Sequence, residues 1–240
     1  MSSVNENAIF ARKSLLSAAI HNNVALISQI VSFPTDLERT DRFGATALNI
    51  CATNGKAEAA RVLIAAKANV ETMDNFGTNP LNRAAFRGHT DVLGVLISGG
   101  ADINKCSEGH QTALLTATIR GNLDAVNVLL SAKADISIVD ADGNGPLQKA
   151  CYKSSIAILD ALLKAGADVN QRFWAGQTAL FTAVSAGDVA IANRLIAAKA
   201  DLNTTDDHGN GVLFLAAKKG HTGVLEVLIN AKVDVNLRSQ

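Results

Sequence analysis

The sequence predicts an all-α protein, a solenoid of stacked helix-turn-helix repeats joined by β-hairpin-like tips, and three observations carry that expectation. The first is a 33-residue period. Gly44, Gly77, Gly143, Gly176 and Gly209 fall on one grid, with His110 at the remaining place and Gly109 just before it. The grid also holds Leu48, Leu81, Leu114, Leu147, Leu180 and Leu213, then Ala68, Ala101, Ala134, Ala167, Ala200 and Val233, followed by Asn69, Asp102, Asp135, Asp168, Asp201 and Asp234. Self-similarity at such a period marks a repeat architecture, whose members bury their apolar faces only by stacking on neighbours. The second is helical spacing within the period, as in "TALFTAVSAGDVAIANRLIAAKAD", where Ile191, Leu195 and Ile196 share one face. The third is composition: 48% of the residues are hydrophobic but only 4% aromatic, an aliphatic, alanine-rich core that suits closely packed helices.

Taken in order, residues 1–7 form a tail and 8–40 a divergent amino-terminal capping repeat, in which "LLSAAIHNN" aligns with "LNICATNGK" and Ala11 replaces the turn glycine. Repeats follow at 41–73, 74–106, 107–139, 140–172, 173–205 and 206–238, read as one continuous domain over 8–240. Each opens its first helix with a tetrapeptide: TALN, NPLN, TALL, GPLQ, TALF and GVLF. Thr178 is placed to cap its helix and Gly187 to end it. After the second helix, Lys67, Lys133, Lys199 and Lys232 stand where glycine is expected; a left-handed lysine costs roughly 1 kcal/mol against glycine. Weak points are expected at 107–139, with His110 at its turn, and at 140–172, with Gly145 in place of a capping threonine and Ser154-Ser155 at the interhelix turn. The carboxyl-terminal repeat retains Leu213, Leu215, Val224, Leu225, Val227, Leu228 and Ile229, an interior-like pattern that predicts exposed apolar surface and self-association.

The period and tetrapeptides resemble those of ankyrin repeats, whose signature is T-P-L-H-x-A. The resemblance spans nearly the whole chain. The signature histidine is absent from all six repeats, so its hydrogen bonds must be missing or replaced. The resemblance implies a concave face, lined by the tips and first helices, on which a protein partner binds. It also implies asparagines at the "AD-x-N" loop, Asn104, Asn170, Asn203 and Asn236, that a hydroxylase would modify.

Little else carries chemistry. The chain has 22 basic and 22 acidic residues and a pI near 7.0, so no net charge draws it to nucleic acid or membrane. "MSSVNENAIFARKSLL" lacks a signal-peptide pattern, and no apolar run approaches the ~18 residues of a membrane span. Three separated cysteines make neither a disulfide framework nor a metal site. A reducing, cytoplasmic location is expected, a secreted effector without a classical leader being the alternative. Cys51 and Cys151 read as core, Cys106 as a thiol at a tip, and His89 and His221 as helix-start residues, with His110 and His208 at tips. No nucleotide or metalloprotease motif occurs, and Asn203-Thr204-Thr205 is an idle glycosylation sequon. No enzyme activity, cofactor or metal is expected.

The positions that the repeat pattern leaves open carry the functional signal. The sole tryptophan, Trp174, lies there beside Phe173, as do the sole tyrosine, Tyr152, and Phe43, Phe76 and Phe86. Seven cations, Arg83, Arg87, Arg120, Lys149, Lys153, Lys218 and Lys219, occupy places ten, thirteen and fourteen of the repeats, and no acid does. Aromatic rings and arginines dominate binding hot spots. The expectation is a non-catalytic scaffold or adaptor that binds an acidic, partly apolar protein or peptide. The alternatives are the targeting portion of a larger or host-directed effector or enzyme and, further off, nucleic-acid binding by stacking and phosphate contacts.

Overall fold

Helices of nine residues or fewer do not persist in water alone, and their stability comes from packing. The chain is built from such helices in pairs. The computed structural model describes residues 15–235. The tail at 1–7, Ala11 and Asn236 lie outside the described residues. The pairs are 15–20 (α1) with Val24–Val31 (α2), Ala47–Asn54 (α3) with Ala57–Ala65 (α4), Pro80–Arg87 (α5) with Thr90–Ser98 (α6), and Ala113–Arg120 (α7) with Leu123–Ser131 (α8). Pro146–Tyr152 (α9) follows with Ile156–Lys164 (α10), then Ala179–Ala186 (α11) with Val189–Ala197 (α12), and Val212–Lys219 (α13) with Thr222–Asn230 (α14). Among the described residues there is no strand. One isolated bridge, Thr205 to Gly211, marks a hairpin base.

Contacts divide the chain into two compact halves, 1–134 and 135–240. In the first, α3, α5 and α7 pack side by side as inner helices, while α2, α4, α6 and α8 form the outer row. In the second, α9, α11 and α13 are inner and α10, α12 and α14 outer. The grid leucines Leu48, Leu81, Leu114, Leu147 and Leu180 are buried, whereas Leu213 of the terminal repeat is only half-buried.

The tips are shaped by the first residue of each repeat. Where that residue is aspartate, one carboxylate oxygen accepts two backbone N–H groups. Asp41 takes those of Phe43 and Ala45 at 2.8 and 3.0 Å, and Asp74 those of Phe76 and Thr78 at 2.9 and 3.1 Å. Asp140 takes those of Asp142 and Asn144 at 3.1 and 2.9 Å, and Asp206 those of His208 and Asn210, both at 2.9 Å. Two repeats lack this acid and begin with Ser107 and Phe173. Their tips wind into single 3-10 turns, Glu108–His110 and Trp174–Gly176. Each of these turns carries two successive left-handed residues: Gly109 and His110 (φ 71° and 58°), and Ala175 and Gly176 (φ 56° and 69°).

The missing signature histidine is replaced in three repeats. Asn49 Nδ2 donates to the Thr72 and Thr78 carbonyls, and Asn82 Nδ2 to the Lys105 carbonyl, while Asn82 Oδ1 accepts from Thr116. Gln148 donates to Thr182 Oγ1 at 3.3 Å. Leu115 and Phe181 instead occupy that place as fully buried apolar side chains. Thr46, Asn79 and Thr112 cap their helices through the side chain, but Thr178 does not, contrary to expectation. Its φ of −101°, against −74° and −76° at Thr46 and Thr112, accompanies a hydroxyl that reaches no partner.

At four joints between successive repeats a side-chain oxygen accepts a backbone N–H from the following repeat, forming a ladder within each half. Glu38 takes Asn69 N–H at 2.7 Å, Glu71 takes Asp102 N–H at 2.7 Å, Asn170 takes Asp201 N–H at 2.8 Å and Asn203 takes Asp234 N–H at 3.0 Å. Lys67, Lys133, Lys199 and Lys232 are all left-handed, with φ between 63° and 73°.

Candidate functional site

In the amino-terminal half, the tips and inner-helix ends gather arginines around phenylalanine rings. The Phe43 and Phe76 rings stack with centroids 6.4 Å apart. The Arg42 guanidinium lies 4.7 Å from the Phe43 ring centre and that of Arg83 lies 5.5 Å from Phe76. Phe86 holds two guanidiniums, Arg87 at 5.7 Å and Arg120 at 4.2 Å. All three rings are exposed. Arg42 was missed from the sequence as a member of this cluster; its place beside Phe43 at the tip is the signal.

The cations are not equivalent. Arg83 is tied to the buried Asp74 carboxylate, its Nε donating at 2.8 Å and its second guanidinium nitrogen closing an ion pair. Lys149 does the same for Asp140 at 2.6 Å. Both are nine residues after their acid, so place ten neutralises place one within a repeat. Burial pushes the Asp140 carboxyl up, but the Lys149 hydrogen bond and charge and the Asn144 and Asp142 N–H groups outweigh it, and its pKa lies below the ordinary value. Arg83 and Lys149 therefore help to hold the tips together, a role within the repeat that needs no partner. Arg87 and Arg120 form no ion pair among the described residues.

In the carboxyl-terminal half, the neighbouring aromatics separate. Trp174 is 72% exposed, whereas Phe173 is only 8% exposed. Phe173 was expected at a binding surface; it is a core residue instead. Its ring lies where a side chain on Gly145 would go: a Cβ there would come within 2.5 Å of Phe173 Cε1. Two irregularities of the sequence, a ring for the tip acid and a glycine for the helix cap, thus fill one another. Tyr152 and Lys153, at the end of α9, are exposed. Lys218 sits 5.8 Å over the exposed Phe214 ring, while Lys219 donates to the Ser185 hydroxyl and carbonyl at 2.7 and 3.1 Å.

His89 and His221 serve packing between repeats. Nε2 of His89 lies 3.2 Å from the Thr53 carbonyl and that of His221 lies 3.3 Å from Ser185, each contact requiring the proton on that nitrogen. Both occupy N-cap places without capping through the side chain, and they pack over Gly55 and Gly187 of the preceding repeats. Burial pushes the Cys51 and Cys151 thiols up to about 12, which leaves them inert. Among the described residues, no group of three His, Cys, Asp or Glu could hold a metal, and no helix is long and apolar enough to cross a membrane.

A family model described as "Ankyrin repeats (3 copies)" matches residues 15–107, 100–173 and 170–239. The chain belongs to the ankyrin repeat family. One solved structure it resembles is the ankyrin repeat domain of Bcl-3, described as a unique member of the IkappaB protein family. The TM-score is 0.84 and the identity 24%, over 90% of this chain and 97% of that one. A search of curated proteins found no match. The chain thus has the ankyrin-repeat solenoid fold, a non-catalytic scaffold for protein–protein interaction. Of the ankyrin loop asparagines, Asn170 and Asn203 are exposed but engaged through Oδ1 in the inter-repeat ladder. Asn104 is half-buried, with its backbone N–H donated to Asp102 at 2.9 Å.

Proposed function

We propose that this ankyrin repeat chain is an adaptor that binds an acidic, partly apolar protein segment on its tips and inner-helix ends, the side that the family resemblance makes concave. The observation that supports this reading is large rings held out to solvent at places the fold does not need for its core: Trp174 and Tyr152 in one half, Phe43, Phe76 and Phe86 in the other. Such rings bring contact area at low entropic cost, and the arginines on them bring charge complementarity. Each half carries its own patch.

The test is capture of partners from native lysate by the intact chain and by a Trp174→Ala/Tyr152→Ala variant. The variant is expected to lose a partner that the intact chain retains, by at least ~2 kcal/mol once affinity is measured, with its melting temperature unchanged. Equal capture by both, or a collapsed melting temperature, overturns the assignment of these rings. Filter binding to single-stranded RNA across a salt series separates the nucleic-acid alternative, which requires affinity at low salt.

A further inference from the structure

We infer that the Arg87–Phe86–Arg120 cluster is a reader for a pair of carboxylates about one helical turn apart on the bound segment, with the Phe43–Phe76 stack receiving an apolar side chain beside them. The inference rests on the adaptor reading above and specifies the partner's chemistry.

The cluster differs from a solvated row of cations in how it is built. Arg87 and Arg120 are the last residues of α5 and α7, each followed by a left-handed glycine, Gly88 and Gly121. Adjacent inner helices therefore present them from equivalent places, and the carboxyl-terminal ends of both helices favour a cation there. Both guanidiniums rest on one ring, which limits their separation to about 10 Å. A guanidinium held over a ring keeps N–H donors for hydrogen bonds, and contact with the ring fixes part of its freedom in advance. The charge is uncompensated: Asp74 takes Arg83, and among the described residues no carboxylate pairs with Arg87 or Arg120.

Two forks held within that limit can reach two carboxylates three or four positions apart on a helix, whose Cβ atoms lie ~5–6 Å from each other. Arginine–carboxylate pairs of this kind are frequently bidentate, which adds geometry to charge. The stacked Phe43 and Phe76 rings add an exposed apolar surface in the same half of the chain. The segment this chemistry selects alternates acidic pairs with aliphatic or aromatic residues.

The experiment is selection of displayed random dodecapeptides on three forms of the full chain: wild type, Arg87→Gln/Arg120→Gln, and Arg61→Gln/Lys67→Gln. The last removes equal charge from two exposed positions away from the cluster, one on the outer helix α4 and one in the turn that follows it. Wild type and this control are expected to enrich peptides with two acids three or four positions apart. That enrichment should fall at least tenfold on the Arg87→Gln/Arg120→Gln form, with the circular dichroism melt unchanged. Enriched peptides that show no acidic pairing, or that bind the Arg87→Gln/Arg120→Gln form equally, overturn the inference and leave the adaptor reading standing. Absence of any enriched peptide overturns both. Displacement of the enriched peptides from wild type by poly(U), but not from the Arg87→Gln/Arg120→Gln form, also overturns it, since the forks would then read phosphate.

Discussion

Phe173 and Gly145 are predicted to be energetically coupled, and the coupling can be sized. Phe173 retains only 8% of its exposure. Burying a ring of this kind removes roughly 150–200 Å² from water, about 4–5 kcal/mol at ~25 cal/mol/Å². Alanine keeps the first carbon, so Phe173→Ala should cost about 3–4 kcal/mol. Gly145→Thr, which restores a capping side chain, places its Cβ 2.5 Å from Phe173 Cε1 in the unaltered packing and so should cost ~1–3 kcal/mol by overpacking. Made together, the threonine enters the space the ring left, and its hydroxyl gains a helix cap worth ~1 kcal/mol. The double variant should therefore be more stable than the sum of the single changes predicts, by at least ~1.5 kcal/mol. Urea unfolding followed by far-UV circular dichroism and by fluorescence of Trp174, the chain's only tryptophan, measures the cycle. Additivity within ~0.5 kcal/mol would refute the reasoning. So would a loss on Trp174→Ala, at the adjacent exposed ring, as large as that on Phe173→Ala.

Glycine substituted for any one of the left-handed Lys67, Lys133, Lys199 or Lys232 should raise stability by up to ~1 kcal/mol, less the cation's favourable interaction with its helix end; thermal melts that fall instead would contradict the strain assigned there. Because the native pKa of Asp140 lies below its ordinary value of 3.8, the carboxylate's contribution is complete above that value and is lost as pH falls through the lower native pKa. Lys149→Met should cost about 3 kcal/mol at neutral pH and flatten the acid limb of the stability profile, as urea titrations at a series of pH values would show. The carboxyl-terminal repeat exposes Phe214, Ile229 and Val235. We propose that copies associate through it, so sedimentation should show a concentration-dependent oligomer that Leu225→Glu/Ile229→Glu abolishes; a wild-type chain that stays monomeric at high concentration would exclude this.

The repeat, the helix pairs and their left-handed turns were legible because the period forces each landmark to recur. Thr178 was misread because a cap depends on a few tens of degrees of backbone rotation, which residue type does not encode. Phe173 was misread for a different reason. Its burial depends on the absent side chain of Gly145, 28 residues earlier, and neither residue announces the other. The neutralisation of Arg83 and Lys149 could have been found, since an acid at place one meets a cation at place ten only in those two repeats. Asp41 and Asp206 face Ile50 and Leu215 at the same spacing. The pairing of Arg87 with Arg120 over one ring was out of reach, because it joins the ends of two neighbouring helices.

The inter-repeat ladder has an evolutionary corollary. At Glu38, Glu71, Asn170 and Asn203 the acceptor is a side chain, while the donor is always main chain. A repeat therefore needs the right residue only on its own trailing edge; whatever follows supplies the donor regardless of its sequence, proline excepted. Gene duplication or exchange in steps of one period would preserve the joint without compensating mutations, and an acceptor of either type, glutamate or asparagine, would serve any successor. Such one-sided encoding lets the chain lengthen or recombine while its exposed rings and arginines diversify independently.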